Sequence, residues 1–587
     1  VSAIDPLDDP DPRRVAEHAH LEGLLRCWNR ETGWTPGPDL TLDAVGVRLR
    51  TEVRYDSPSG WHRFGPVRPA GAPERELPAA VLAGLLGLEA GGGASGGASG
   101  GEELSDLVAR THDSVGRVAR FVADRRGSPS PPAGIDDFLD AEQALLLGHL
   151  HHPTPKSRDG IGEADLAAWA PELRAATPLH WFSVDTALVR HDAADTSPAL
   201  RGLDTPALLA ELAGLPDPGP GRVLVPAHPW QALDLPRRPA VAPLVESGAV
   251  RPLGPHGPAW WPTSSWRTLY HPERSVMLKL SLGLRLTNCR RESTRRELRR
   301  GPAVHRLLDA GLGAATLAAY PSFRLVRDPA WLGVFAPDPA TGTLAADARL
   351  TGLDVSVREV PPGLAGLRCL AGLLAPRPGL GPSVLAGLPA VRRDPGGWLA
   401  GYTARVLVPM LHLYSTTGLG LEGHQQNTLL ELAADGTVLG GAFRDNQGFY
   451  LSRDELGPVE AVLGAEAIAL DAMDTAVLDD WLCYYLLFNQ ALGVVGGLGS
   501  AGVADERALL RVLAGELRAA LPALAAAGSG SVAGPHGARL VSRWLASATL
   551  PSKANLLTRL HGIDEVTAPM SAQAVFVETP NPLVSAL

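Results

Sequence analysis

Lysine is nearly missing from this chain. Of 53 lysines and arginines in 587 residues, only Lys156, Lys279 and Lys553 are lysine. Arginine does the general work of solubility, so a surviving lysine marks a place that wants a compact ammonium rather than a planar guanidinium. Cysteine is scarce too. Cys27, Cys289, Cys369 and Cys483 are scattered without CxxC spacing. That argues against a disulfide framework and a thiolate zinc site, and fits a reducing cytoplasm. Positive charge is not in excess: the net charge is −10, which speaks against a nucleic-acid partner. No apolar run is expected to approach the ~20 residues of a membrane span, and the acidic opening VSAIDPLDDPDPRR does not read as a signal peptide. Neither nucleic acid nor membrane is therefore expected as a partner.

What is present is a chain of ordinary globular composition, 45% hydrophobic and 20% charged, long enough for two to four subdomains. Its chemistry concentrates from Trp261 to Arg291. The turn Thr263-Ser264-Ser265 is followed by Arg267 and Thr268, then by the alternating run Val276 to Leu282, which predicts a strand with one buried face. A second strand-like run, Leu284 to Thr287, leads to Arg291. Pairing of the two runs as antiparallel neighbours would bring Lys279, Arg291, Ser265 and Arg267 onto one polyanion. Guanidinium and hydroxyl donors around a fixed ammonium suit a nucleotide triphosphate and a carboxylate.

The rest of the chain predicts helices over Arg14 to Arg30, Pro78 to Leu88, Glu103 to Asp124 and Asp136 to Leu147, and a β-hairpin over Leu40 to Val53. The Gly/Ser tract 91–101 cannot bury a core and reads as a flexible loop or linker. His149, His151 and His152 lie with Lys156 and Arg158 in a Pro-rich turn; three readings stand, an anion-facing loop, a metal site and a solvated loop. Ser293 to Ala310 predicts a helix broken at Gly301-Pro302, and the Pro/Gly-rich stretch 361–398 a boundary. The segment Glu422-Gly423-His424-Gln425-Gln426-Asn427 leads into a strand, Asp435-Gly436 makes a hairpin turn, and the return strand ends in Phe443-Arg444-Asp445-Asn446-Gln447-Gly448. Asn427 and Asp445 at opposite ends of that hairpin converge as oxygen ligands do around Mg²⁺, with nucleotide phosphates completing the shell. The alternative is a polar turn. Beyond it the chain is mostly helical, with two further helices expected from Arg539 to Leu560.

Taken together, HHPTPK with Arg158, SSWRT, Lys279 with Arg291, EGHQQN and FRDNQG resemble the NRPS-independent siderophore synthetases, the IucA/IucC-like family, in order from about residue 149 to 450. The resemblance implies an α+β, cupped-hand fold: a thumb over 1–165, fingers with an antiparallel sheet over 166–390 and a helical palm over 391–587. It implies that ATP and citrate, or a related polycarboxylic or dicarboxylic acid, form an acyl-adenylate, which an amine, hydroxylamine or alcohol then takes from AMP. By position, His152, Lys156, Ser265, Arg267, Thr268, Lys279, Gln426, Asn427 and Asp445 would hold ATP. Arg291, His424 and Thr268 would face the carboxylate, with Lys279, Arg291 and His424 closest to the chemistry. Glu422, Asn427 and Asp445 would hold Mg²⁺, and the chain would act as a cytoplasmic homodimer. The competing readings are a kinase-like phosphotransferase, whose catalytic-loop Asn and metal-binding Asp Asn427 and Asp445 resemble, and a nucleotide-binding protein without chemistry.

Overall fold

The structure, a computed structural model, describes residues 5–92, 98–286, 289–338, 341, 343–345, 347–527, 534–563 and 573–585. The middle of the Gly/Ser tract and Thr287 at the end of the second strand-like run lie outside the described residues. The N-terminal part is built on the helix Pro12–Thr32. The Asp11 carboxylate accepts from the Arg13 amide at its start, Pro12 occupies the first turn, and Gly33 ends it with φ 73°. This helix packs with Ala79–Ala90 and Ala98–Gly127 around Leu24, Leu25, Leu82, Leu86 and Val118. The expected hairpin forms between Asp39–Leu42 and Val47–Arg50. The helix expected over Asp136 to Leu147 is only Asp137–Glu142. At its end the Glu142 carboxylate turns inward to the Ser264 amide and hydroxyl and to Arg444.

An eight-stranded sheet, antiparallel throughout, fills the middle of the chain. Val276–Leu280 lies inside it, between Thr268–Tyr270 and Leu350–Glu359. That position corrects the expectation of one buried face. Val276, Leu278 and Leu280 enter the sheet's main core, Met277 enters a second core, and every residue of the strand is buried. Arg291 is not on a neighbouring strand either. At Ser281 the chain leaves the sheet for a two-stranded ribbon, Leu282–Leu286 with Cys289–Arg291, in which Arg291 stands opposite Leu282. The helix Arg295–Asp309 runs unbroken through Gly301-Pro302. A capping box of Thr294 and Glu297 starts it, and its glycine allows close approach to Asp328, whose carbonyl oxygen would lie 2.3 Å from an added Cβ.

The C-terminal part holds the largest core, which also takes in Val304, Leu307 and Phe323. The hairpin of Thr428–Leu432 and Val438–Phe443 forms as expected, with Gly436 in the left-handed region at φ 87°. Beneath it, Thr475–Leu482, Cys483–Ala491 (a π-helix) and Leu492–Ser500 run on as one helical rod. This rod corrects the reading of apolar runs. Thr475–Ser500 is long and apolar enough to cross a membrane, yet 94% of its most apolar stretch is buried inside the protein. Between Arg539 and Leu560 the chain forms a helix, a strand and a helix rather than two helices, which puts Lys553 on the strand Thr549–Ala554. The last of these, Asn555–Leu560, returns to the N-terminal helices, where Leu556 joins their core.

Candidate functional site

The three parts meet around one cleft with a volume of about 770 Å³. Every residue singled out for ATP, carboxylate or metal lines it, and so do all three lysines of the chain. Twelve lining side chains are arginine or lysine and five are aspartate or glutamate, so a chain of net negative charge presents a cationic interior to its ligand.

Lys279 stands at the sheet end. Its Nζ meets Asp445 Oδ1 and Gln447 Oε1, each at 2.7 Å. Arg358 donates to the same Asp445 oxygen at 3.2 Å while holding Asp328 with two bonds of 2.6 and 2.9 Å. Arg267 donates to Gln447 Oε1 at 3.1 Å and to the Arg291 carbonyl at 2.9 Å, tying the ribbon to the sheet. Burial pulls the Lys279 ammonium down to about 8, against the opposing pull of Asp445. Burial would raise the Asp445 acid, but the charges of Lys279 and Arg358 outweigh it and hold the carboxylate well below its usual range. Asp445 itself sits at φ 87°, unusual for a non-glycine residue, and accepts from the Gln447 amide.

The hydroxyl-rich turn faces this network. Ser265 Oγ takes the Thr268 amide at 3.2 Å, and Thr268 pairs in register with Lys279. Trp266 is held at φ 66° beneath the Arg158 guanidinium, 5.1 Å from its ring centroid. Gln426 donates to Ser264 Oγ at 2.9 Å, joining the C-terminal half to the turn. Thr268 Oγ1 and Gln447 Nε2 are buried without a hydrogen-bond partner among the described residues, so a ligand in the cleft can satisfy both. On the N-terminal side Lys156 and Arg158 share the buried Glu172 carboxylate, and the Thr154 amide fixes His152 through Nδ1 at 3.0 Å. Burial would raise Glu172; Lys156 and Arg158 instead keep it below the usual range.

Glu422, His424 and Asn427 gather at the head of the hairpin. Asn427 Nδ2 donates to the Glu422 carbonyl at 3.1 Å, and His424 Nε2 lies 3.6 Å from Glu422 Oε1. Burial lowers His424 to about 4, so its imidazole is neutral. Burial and then the charge of Asp445 lift Glu422 to about 7. These residues fit a hard dication in donor chemistry. The hydrogen bonds of Asp445 fall on Oδ1, which leaves Oδ2, the Asn427 amide oxygen and a carboxylate strained by its neighbour's charge as oxygen donors. Among the described residues no cluster of three His, Cys, Asp or Glu side chains forms a metal site, which removes the metal reading of the three histidines. His149 instead pairs with Asn489 at 2.9 Å and His151 with the Gly60 carbonyl at 3.0 Å.

Sequence reasoning left several lining residues unassigned. Gln447 and Arg444 sit in a motif already in view, and Lys553 was flagged by its rarity. Arg358 had a signal as well, a charged residue at an inward position of the strand Leu350–Glu359. Arg30, Tyr484 and Tyr485 carried none.

An antiparallel sheet that fixes a buried ammonium against an aspartate faces a helical half that offers His, Gln and Asn, which together make a cleft fit for a polyanionic ligand. Residues 137–375 match the IucA / IucC family, and residues 397–568 match a family described as ferric iron reductase FhuF-like transporter. The chain is 34% identical to the rhizobactin siderophore biosynthesis protein RhbC of Rhizobium meliloti, over 96% of this chain and 98% of that one. It is 30% identical to the spermidine-citrate ligase of Bacillus anthracis, over 97% and 98%. The fold superposes on the ATP-bound aerobactin synthetase IucA of Klebsiella pneumoniae with a TM-score of 0.79 at 25% identity, covering 97% of this chain and all of that one. This chain belongs to the IucA/IucC family of NRPS-independent siderophore synthetases.

Proposed function

We propose that the enzyme uses ATP to convert citrate, or a related polycarboxylic or dicarboxylic acid, to an acyl-adenylate and passes the acyl group to an amine, hydroxylamine or alcohol. The observation that carries this reading is the convergence of Lys279, Arg267, Arg291 and Thr268 on one end of a cleft that also holds the neutral His424. Adenylation brings an anionic acid against an anionic phosphate, and fixed cations offset that repulsion. The acid's oxygen forms a bond to the α-phosphorus as pyrophosphate leaves. The amine nitrogen then bonds to the acyl carbon, AMP departs with the electron pair, and the nitrogen loses a proton. Lys279 and Arg267 orient the phosphates; Arg291, Thr268 and His424 hold the acid. Mg²⁺ on Glu422, Asn427 and Asp445 would neutralise phosphate charge. The ligation of citrate by the spermidine-citrate ligase and the ATP bound by aerobactin synthetase support the choice of substrates. The division into thumb, fingers and palm at residues 165 and 390, the homodimer and the cytoplasm belong to the same reading, and the free, buried Cys27, Cys369 and Cys483 accord with a reducing compartment. A panel of acids with ATP and one amine tests it: citrate should yield AMP and pyrophosphate. ADP would instead establish a phosphotransferase, and no nucleotide product with any acid would leave a binding protein.

A further inference from the structure

The cleft has a second end, far from Lys279. From Asp445 the path runs by electrostatic contact to Glu422, then to Tyr485, whose ring lies 5.8 Å from His424, then to Tyr484, 5.4 Å further on. Both tyrosines are on the π-helix Cys483–Ala491, a geometry that alters which side chains face one way. Beyond Tyr484 stands Arg30, in the last turn of the helix Pro12–Thr32. It is 8% exposed and lines the cleft. Its guanidinium lies over the Phe488 ring at 5.7 Å. Among the described residues its side chain makes no hydrogen bond and no ion pair; the adjacent Glu31 carboxylate acts on it through space but spends its oxygens on the Leu556 and Leu557 amides. Lys553 lines the same region, and its charge and that of Arg30 both bear on His149.

A planar cation with one face on a ring keeps its N–H fork open in the plane. The Arg30 fork borders the cleft without a hydrogen-bond partner among the described residues, so a ligand oxygen can take the place of solvent there. The adenylate must form at the Lys279 end, so the far end receives the distal part of the second substrate. We propose, on the ligase reading above, that Arg30 binds an oxygen acceptor at the far end of the amine co-substrate, a carboxylate or a hydroxamate. Arg30 and Lys553 together then reject an amine whose far end is a second ammonium.

Three amines with one five-carbon spacer test this: 1,5-diaminopentane, its N-acetyl-N-hydroxy derivative and 6-aminohexanoate, each with citrate and ATP. The wild-type enzyme should favour at least one oxygen-bearing amine over the diamine by tenfold or more in kcat/KM, and which one tells hydroxamate from carboxylate. Arg30→Met should collapse that ratio towards unity through KM, and Arg30→Lys should retain part of it. A wild type that uses the diamine equally well, or a ratio that survives in Arg30→Met, overturns the assignment. AMP and pyrophosphate formation with these amines separates the two readings: if both form without preference, only the role of Arg30 falls; if neither forms with any of the three, the ligase reading falls with it.

Discussion

Lys279 shows how one side chain serves both the fold and the site. It is among the largest side chains that are fully buried, so it fills space as well as carrying charge. The expectation that a strand lysine adds little packing therefore changes, and Lys279→Ala would open a cavity beside a carboxylate. Lys279→Met keeps the volume. Asp445 retains Arg358 and Gln447 Oε1 retains Arg267, so this variant should fold, losing about 1–3 kcal/mol for the broken bonds. Pyrophosphate release should fall by about 10²–10³-fold, the usual consequence of removing one charged contact from a transition state in a desolvated site. Denaturant melts beside single-turnover rates read both numbers. A rate within a few-fold of wild type would make the buried ammonium a packing device alone.

At the scale of elements, the helix Leu492–Ser500 carries a glycine face where a bulkier chain would collide. A Cβ on Gly496 would lie 2.4 Å from the Trp61 ring, and one on Gly493 2.1 Å from Gln425 Nε2. Alanine is the better helix former by about 1 kcal/mol, but displacing a buried indole costs about 1–3 kcal/mol. Gly496→Ala should thus lower the melting temperature, and should raise the amine KM because Trp61 lines the cleft. An unchanged melting temperature would mean the indole moves aside freely. Elements of this kind also mark what could be read in advance. The hairpin joining Asn427 to Asp445 and the strand of Lys279 were legible, because alternation and an Asp-Gly turn are local signals. That Lys279 lies buried in the middle of a sheet was not, since its neighbour Leu350–Glu359 is far along the chain and nothing local reports such pairing. Likewise the shortened helix ends at Glu142, which pairs with Arg444, and the unbroken helix through Pro302 carries Arg300, which reaches Asp471. Neither long-range contact has a local signal in the sequence.

For the whole molecule, the N-terminal and C-terminal parts are joined by Glu31, whose carboxylate takes the Leu556 and Leu557 amides at 2.9 and 2.8 Å. Burial, only partly offset by those bonds, raises its acid to about 7. A raised carboxyl binds its proton more tightly in the folded state, so its contribution is present below the unfolded value near 4.5 and is lost as pH climbs through about 7. Between pH 6 and 8 this group alone should remove about 1 kcal/mol of stability. Glu31→Gln keeps an acceptor and should flatten that slope, gaining on wild type at pH 8 relative to pH 6; parallel slopes in the two proteins would sink the assignment. The same junction bears on synthesis. Leu556 completes a core whose other buried members, from Leu7 to Leu147, leave the ribosome first. The amide that Glu31 awaits is 525 residues downstream, and at about 5–20 residues per second that is roughly half a minute to two minutes. Throughout that interval the nascent N-terminal helices keep an apolar seam open to water and to chaperones, and the late helix Asn555–Leu560 closes it.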